Sequence, residues 1–417
     1  MDVGDHRNAH RRRTIARALA LAALAAGWAV AAALLLRTQV PGLELERLDP
    51  SAVLPADELA RAERYRDGLR WLWVATVLVQ LATLVLLVRW GRPLAAVAGR
   101  VTRGRARTGL VVALLVAVAV WAAALVPQAV AHWWTRRYGL AVEGYGGWLE
   151  GRAVGLVILA GLAGLAVWGS LLLAPRFGRR WWIPASTGLA LLGLVVVGLQ
   201  PVVERLSTGT TPLPAGGLAT AIVATGERLG VDVGTVAVAK VSARTTAPNA
   251  RVTGLGPTRR VVLDDTLLDG RFTGAEIRAV AAHEVAHVAR RHVFKGVAWF
   301  ALLVVPGTAI LAWLVGRRGD PGGGGGPALV PFALLVAFCL YLAALPVANA
   351  ISRRYEREAD WLALVATEHP AAAASLVRTL AREALVDPAP PAWAVVVLGT
   401  HPPGVQRLAM ALSFRTP

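Results

Sequence analysis

Two histidines four residues apart, with a glutamate directly after the first, stand out in the run AVAAHEVAHVARRH (279–292): His283, Glu284 and His287. On a helix, positions i and i+4 share a face, so both imidazoles can aim a ring nitrogen at one point. Two converging imidazole nitrogens are half of a tetrahedral zinc site. Glu284 sits one step round the helix, where it can take a proton from a water at that point instead of binding the ion. The chemistry this pattern permits is metal-assisted hydrolysis. The alternative, three polar groups merely solvating a surface helix, fits poorly with the alanines and valines around them. A buried helix carries polar groups only where they have partners.

A catalytic zinc takes a third protein ligand and leaves one position for water. The only cysteine, Cys339, lies in an apolar run, so neither a disulfide within the chain nor a cysteine cluster is available. The third donor must then come from His292, Glu356, Glu358, His369 or His401. His292 is five residues past His287, a spacing that turns it from the shared face and reads as a membrane-interface residue.

The elements that must hold these groups are set by composition. The chain has 417 residues, is 56% hydrophobic and carries a formal net charge of +18. Its mean hydropathy is +0.54, well above that of a soluble domain. The arginines fall mainly in short loops between apolar runs, which is the pattern of membrane orientation and not of phosphate reading, so no nucleic-acid partner is expected. A membrane-crossing helix needs about 20 apolar residues, and seven stretches qualify: 18–36, 71–88, 109–130, 154–174, 182–203, 296–316 and 328–348. Lipids are therefore expected neighbours of a multi-pass protein, in a membrane of bacterial plasma-membrane type. The first stretch has a basic start but is too long for the apolar core of a signal peptide, and reads as a retained span.

Four regions follow: a five-span part (1–203), a polar region (204–295), two further spans (296–348) and a polar C-terminal part (349–417). The first polar region reads as helix 215–229, strands 235–242, 250–255 and 259–263, then the helix of the paired histidines. Thr273 and Glu276 form a capping signature at the start of that helix. Loops 89–108 and 175–180 are basic without acids, whereas 37–68 is net acidic. The positive-inside rule then puts both polar regions on the outer face.

The run PVANAISRRYEREAD (346–360) contains S-R-x-x-E-x-x-A-D. Together with AAHEVAHVARRH, PNARVTGLGPTRRVVLDDTLL, VLPADELARAERYRDG in the first loop and THPPGVQRL near the end, it resembles the type I CAAX prenyl proteases and related Ste-type membrane zinc metallopeptidases. The resemblance covers nearly the whole chain. It implies a mainly α-helical integral membrane fold of seven spans with a gluzincin-like α+β zinc peptidase domain built on a small β-sheet. It makes Glu356 the third zinc ligand, beside His283 and His287, and Glu284 the general base, with one Zn2+ per chain. Asp360, one turn beyond Glu356, would accept the outer N–H of a ligating histidine. Asn249, Ala250 and Arg251 match an edge strand onto which an extended substrate adds by backbone pairing. His401 and Arg407 would stabilise a developing oxyanion. Glu358 reads as solvated surface and Arg353 as structural.

What this implies is a membrane zinc metalloendopeptidase acting on peptides or proteins, lipidated substrates included. An intramembrane protease is a poorer fit, because the histidine helix has a charged, capped entry and is followed by Arg290, Arg291 and Lys295 before the next apolar run. A zinc-binding sensor or scaffold without turnover is the other alternative, and has no physical need for Glu284. Eukaryotic relatives place the zinc domain in the cytosol, in conflict with the arginine count here.

Overall fold

The computed structural model describes residues 3–207, 209–254, 256, 259–319 and 326–415. Helices α1 (Val3–Leu35), α2 (Ala56–Arg89), α3 (Gly91–Val101), α4 (Arg105–Arg137), α5 (Tyr145–Phe177) and α6 (Trp182–Ser207) come first. Strands β1 (Thr210–Pro212), β2 (Thr235–Ala239), β3 (Ala250–Thr253) and β4 (Arg260–Asp264) follow, with α7 (Gly217–Arg228) between β1 and β2. The chain continues through α8 (Gly274–Ala289), α9 (His292–Arg318), α10 (Val330–Thr367), α11 (Pro370–Glu383), α12 (Ala392–Val397) and α13 (Gly404–Ser413).

Six of these helices, α2, α4, α5, α6, α9 and α10, are long and apolar enough to cross a membrane. They contain six of the seven expected spans. The first expected span, 18–36, falls in α1, where Ala22–Leu35 is a shorter apolar helical stretch among the described residues, so those residues hold six to seven apolar helices of about membrane length. Large apolar side chains such as Val126, Val157 and Leu159 stand exposed on them. Without lipid as solvent such surfaces would be costly; within a bilayer they are the favourable outer face.

Two features depart from the sequence reading. The basic loop 89–108 contains a helix, α3, and the sheet has a short first strand, β1. The boundary drawn between 348 and 349 also falls inside α10, a single helix of 38 residues. At about 1.5 Å per residue it runs on the order of 57 Å, far more than a bilayer core requires. Pro346 sits within it, a position tolerated where neighbouring elements pack round the helix. One rod therefore joins the lipid-facing layer to the residues expected to bind metal.

The sheet order is β1-β2-β4-β3. β2 and β4 run parallel, with Val236 opposite Val261, while β3 pairs antiparallel to β4 and leaves its other side at the edge. Ile222, Val261, Leu263, Leu267, Ile277, Ala281 and Val285 form one core between the sheet, α7 and α8. A second core joins Val53, Leu54 and Tyr65 from the first loop and α2 to Leu364, Leu408, Met410 and Phe414. The acidic loop thus belongs physically with the C-terminal helices.

The expected capping box holds α8 in place. Thr273 Oγ1 accepts from the Glu276 amide at 3.2 Å, and Glu276 Oε2 accepts from the Thr273 amide at 2.7 Å. The buried carboxylate's other oxygen accepts from Ser375 and Thr379 on α11, at 2.8 Å each. Burial alone would raise the Glu276 pKa, but these hydrogen bonds outweigh it and hold the group below its ordinary 4.5. A depressed folded pKa contributes stability above the unfolded value, and that stability is lost as pH falls through the folded value. Glu276→Ala is expected to cost about 2–4 kcal/mol near neutral pH, read as a lower melting temperature in detergent, with the deficit shrinking on acidification.

Candidate functional site

α8 delivers His283 and His287 to one face, one turn apart, as the spacing predicts. Their Nε2 atoms lie 3.1 Å from each other. Glu356 of α10 closes the cluster, with Oε2 3.2 Å from His283 Nε2 and Oε1 3.5 Å from His287 Nε2. Glu356 is buried, and so is His283. α8 and α10 approach closely because small residues line both, Ala279, Ala282 and Ala286 on one and Ala359 and Ala363 on the other, all of them buried.

Asp360 lies one turn beyond Glu356, as expected, and its Oδ1 accepts from His283 Nδ1 at 2.9 Å. Arg407 of α13 forks onto the same carboxylate, Nε to Oδ2 at 2.9 Å and Nη2 to Oδ1 at 2.6 Å. Two of its donors are therefore committed to Asp360. Asp360 in turn raises the Arg407 pKa against the effect of burial.

His401 comes from the loop before α13. Its Nε2 lies 3.0 Å from Glu356 Oε2, and its side chain is 56% exposed, at the solvent side of the cluster. Arg353 anchors this loop: its Nη1 donates to the carbonyls of Val395 and Gly399 at 2.6 Å each. Asn349 Nδ2 adds a bond to Val397 O at 2.6 Å. Arg353 is thus structural, as expected. Glu284 is partly buried, and burial raises its pKa while His283 and His287 pull it down. Among the described residues no donor is hydrogen-bonded to its carboxylate.

Ala250 and Arg251 begin β3, the edge strand of the sheet, and Asn249 directly precedes it. The Asn249 carbonyl accepts from the Asp264 amide at 2.9 Å, and Arg251 Nη1 donates to Asp264 Oδ1 at 2.7 Å. Pro248, just ahead, lines a cavity of about 560 Å³ that reaches His401 and Arg407 and has largely apolar walls, among them Trp73, Val377 and Leu380.

Two readings are corrected. Glu358, expected to be solvated surface, is 0% exposed. It accepts from Gln39 N and Arg290 Nε at 2.8 Å each and from His292 Nε2 at 3.0 Å. His292, read as a residue of the membrane interface, is buried with Nδ1 2.9 Å from His287 Nδ1. Both readings assumed that α8 continued as a regular helix and that α10 had a wet side. Instead Arg291 takes a left-handed turn, φ 52°, and the segment after α1 covers α10. The available signal was the cationic run Arg290, Arg291, Lys295, which asks for a buried acid. His369 accepts from the Ala372 amide at the start of α11 and takes no part in the cluster.

The donor set fits a metal ion. Bonds of about 2.0–2.1 Å in a tetrahedron put donors about 3.3–3.4 Å apart, close to the 3.1–3.5 Å separations here. Both outer imidazole nitrogens are engaged elsewhere, so two Nε2 atoms face each other across a carboxylate. Burial lowers the affinity of His283 for a proton, but Asp360 and Glu356 overcome this and raise its pKa to about 10. The same negative field favours a divalent cation.

Residues 223–414 match Peptidase family M48. The uncharacterized metalloprotease YhfN of Bacillus subtilis is 27% identical over 282 residues, 66% of this chain and 66% of that protein. A CAAX prenyl protease 1 homolog of Oryza sativa is 30% identical over 52% of each chain. A protease HtpX homolog 2 of Methanosarcina acetivorans is 30% identical over 32% of this chain and 45% of its own. The matched stretches thus span two thirds or less of these curated relatives. The crystal structure of S. mikatae Ste24p superimposes with a TM-score of 0.72 over 93% of this chain and 96% of that one, at 20% identity, a likeness of fold. Taken together with the His-Glu cluster between α8 and α10, these matches show an M48 peptidase domain over residues 223–414, carried in a chain with the fold of Ste24p.

Proposed function

We propose that the protein is a membrane-embedded zinc metalloendopeptidase that cleaves peptides or membrane-associated proteins. The observation that carries this reading is the convergence of His283, His287 and Glu356 beside Glu284. His401 offers an atom to the same cluster, but it stands exposed on a loop, whereas His287 is held by α8 and by a buried partner. His283, His287 and Glu356 are therefore assigned as the zinc ligands, one ion per chain, with His401 on the open side. Zinc, when bound there, supplies Lewis acidity that lowers the pKa of a coordinated water toward about 7 and polarises a carbonyl.

The chain's own residues do the rest. Glu284 accepts the proton of the attacking water and passes it to the leaving amine. Asp360, held by Arg407, fixes the ring of His283. His401 and Arg407 would stabilise the charge that the carbonyl oxygen gains. An extended peptide pairs with the free edge of β3 at Asn249, Ala250 and Arg251, a mode that tolerates varied sequence. Lipidated substrates, of the kind one relative's name points to, fall within this proposal. The test is cleavage of an unstructured peptide by purified protein in detergent, abolished by chelator and restored by zinc. Bound zinc without turnover would establish the sensor alternative.

Orientation follows from the arginines. Loops 89–108 and 175–180 lie on one side of the helix layer, and Arg317 and Arg318 end α9. α3 packs against 327–329 so tightly that a Cβ on Gly91 would collide with the Ala328 carbonyl, which places that linker beside the basic loops. The cluster is on the other side, which the positive-inside rule makes the outer face. In sealed right-side-out vesicles, added protease is expected to cut at Gly256; protection there, with cleavage only after permeabilisation, reverses the assignment.

A further inference from the structure

We propose that His292 and Glu358 form a relayed carboxylate arm that orients His287, a counterpart to the direct arm by which Asp360 orients His283. The inference rests on the assignment of His283, His287 and Glu356 as metal ligands. It gives roles to two buried groups that the hydrolytic scheme does not use.

Hydrogen-bond counting fixes the arrangement. Glu358 Oε1 accepts from the Gln39 amide and from Arg290 Nε at 2.8 Å each, and Oε2 lies 3.0 Å from His292 Nε2. A buried carboxylate served by such donors acts only as an acceptor, so His292 Nε2 must carry the hydrogen. A neutral imidazole has one N–H, which leaves His292 Nδ1 as an acceptor. His287 Nδ1, 2.9 Å away, must therefore donate to it. The lone pair of His287 is then on Nε2, the atom that faces His283 Nε2 and Glu356. Each bond in the chain dictates the next tautomer, and the last puts the free lone pair where a metal ligand needs it.

The backbone is shaped for this contact. A regular helix would carry position i+5 about 140° round from His287. The left-handed turn at Arg291 ends α8 and starts α9, and the His292 ring comes back toward His287. That ring stacks on Tyr355 of α10, with centroids 4.6 Å apart and planes at 12°. Tyr355 Oη donates to the Leu35 carbonyl at 2.8 Å and accepts from Trp299 Nε1 at 2.9 Å. His292 is thus held by three helices, and Glu358, at 0% exposed, has no water to replace its partners. Through Gln39 the arm also ties the site to the segment after α1.

The test measures metal affinity of the full chain in detergent, by competition for zinc with a chromophoric chelator, together with the visible spectrum of the cobalt-loaded protein. His292→Phe keeps the ring stack but cannot accept from His287; it is expected to weaken zinc binding about 10–100-fold and to change the cobalt spectrum. His292→Gln offers an acceptor and a donor at a similar separation, and is expected to recover most of the affinity. Glu276→Ala, which lowers stability without touching the arm, should bind zinc as the parent does. The inference is overturned if His292→Phe binds zinc within twofold of the parent, or if Gln gives no more affinity than Phe. Asp360→Asn separates the two levels: if it weakens zinc binding while His292→Phe does not, only the relay fails. If neither variant affects binding, the metal-site assignment itself falls.

Discussion

Glu284→Gln is expected to bind one zinc per chain and to lose peptide hydrolysis by on the order of 10³-fold in kcat, within the range of about 10²–10⁴ for a positioned general base. Glutamine has nearly the same shape and keeps the packing of α8, but it cannot take a proton. Glu284 stands beside the cluster, its pKa raised by burial, and no hydrogen bond from the described residues ties up its carboxylate. The loss should therefore appear in kcat more than in KM, because β3 and the cavity beside His401 are unchanged. Zinc content by mass spectrometry and single-turnover cleavage read the two halves of the prediction. Undiminished turnover in this variant would remove Glu284 from the mechanism.

Glu356→Ala, His283→Ala and His287→Ala are each expected to lose the metal itself, and activity with it. Two protein donors would remain of three, so affinity should fall by more than the roughly 100-fold that loss of an orienting partner costs. A metal bound there would also stabilise the fold by mass action, about 4 kcal/mol when free zinc exceeds Kd by about 1,000-fold. Chelator should therefore lower the melting temperature of the parent protein and leave that of the three variants unchanged. Glu356→Ala carries a further signature. It removes a carboxylate that helps raise the pKa of His283, so His283 should lose affinity for protons as well as for metal. A Glu356→Ala protein that purified with full zinc would show that another donor, His401 first, completes the site.

Local rules made part of the site legible. The spacing of His283 and His287 fixes their common face because both lie within one helix, and the Thr273 and Glu276 cap marks where that helix starts. The apolar stretches read directly as membrane helices, since length and hydropathy alone decide whether a helix can cross lipid. Glu356 was one of five chemically possible third donors until the S-R-x-x-E-x-x-A-D pattern, through family resemblance, singled it out. No spacing rule connects residues 283 and 356; their meeting depends on how α8 packs against α10.

Glu358 and His292 show where local reasoning stops. Residue types and periodicity assign a side chain to one face of its own helix, and from that Glu358 read as wet and His292 as turned away. Tertiary packing decided otherwise, because the segment after α1 covers α10 and a left-handed residue at 291 breaks the period between His287 and His292. What the sequence determined alone was which groups share a helix face and which helices prefer lipid, both consequences of short-range geometry and solvation. Which buried acid meets which buried base was left to the tertiary structure, since that pairing is set by the desolvation of charges on segments far apart in the chain.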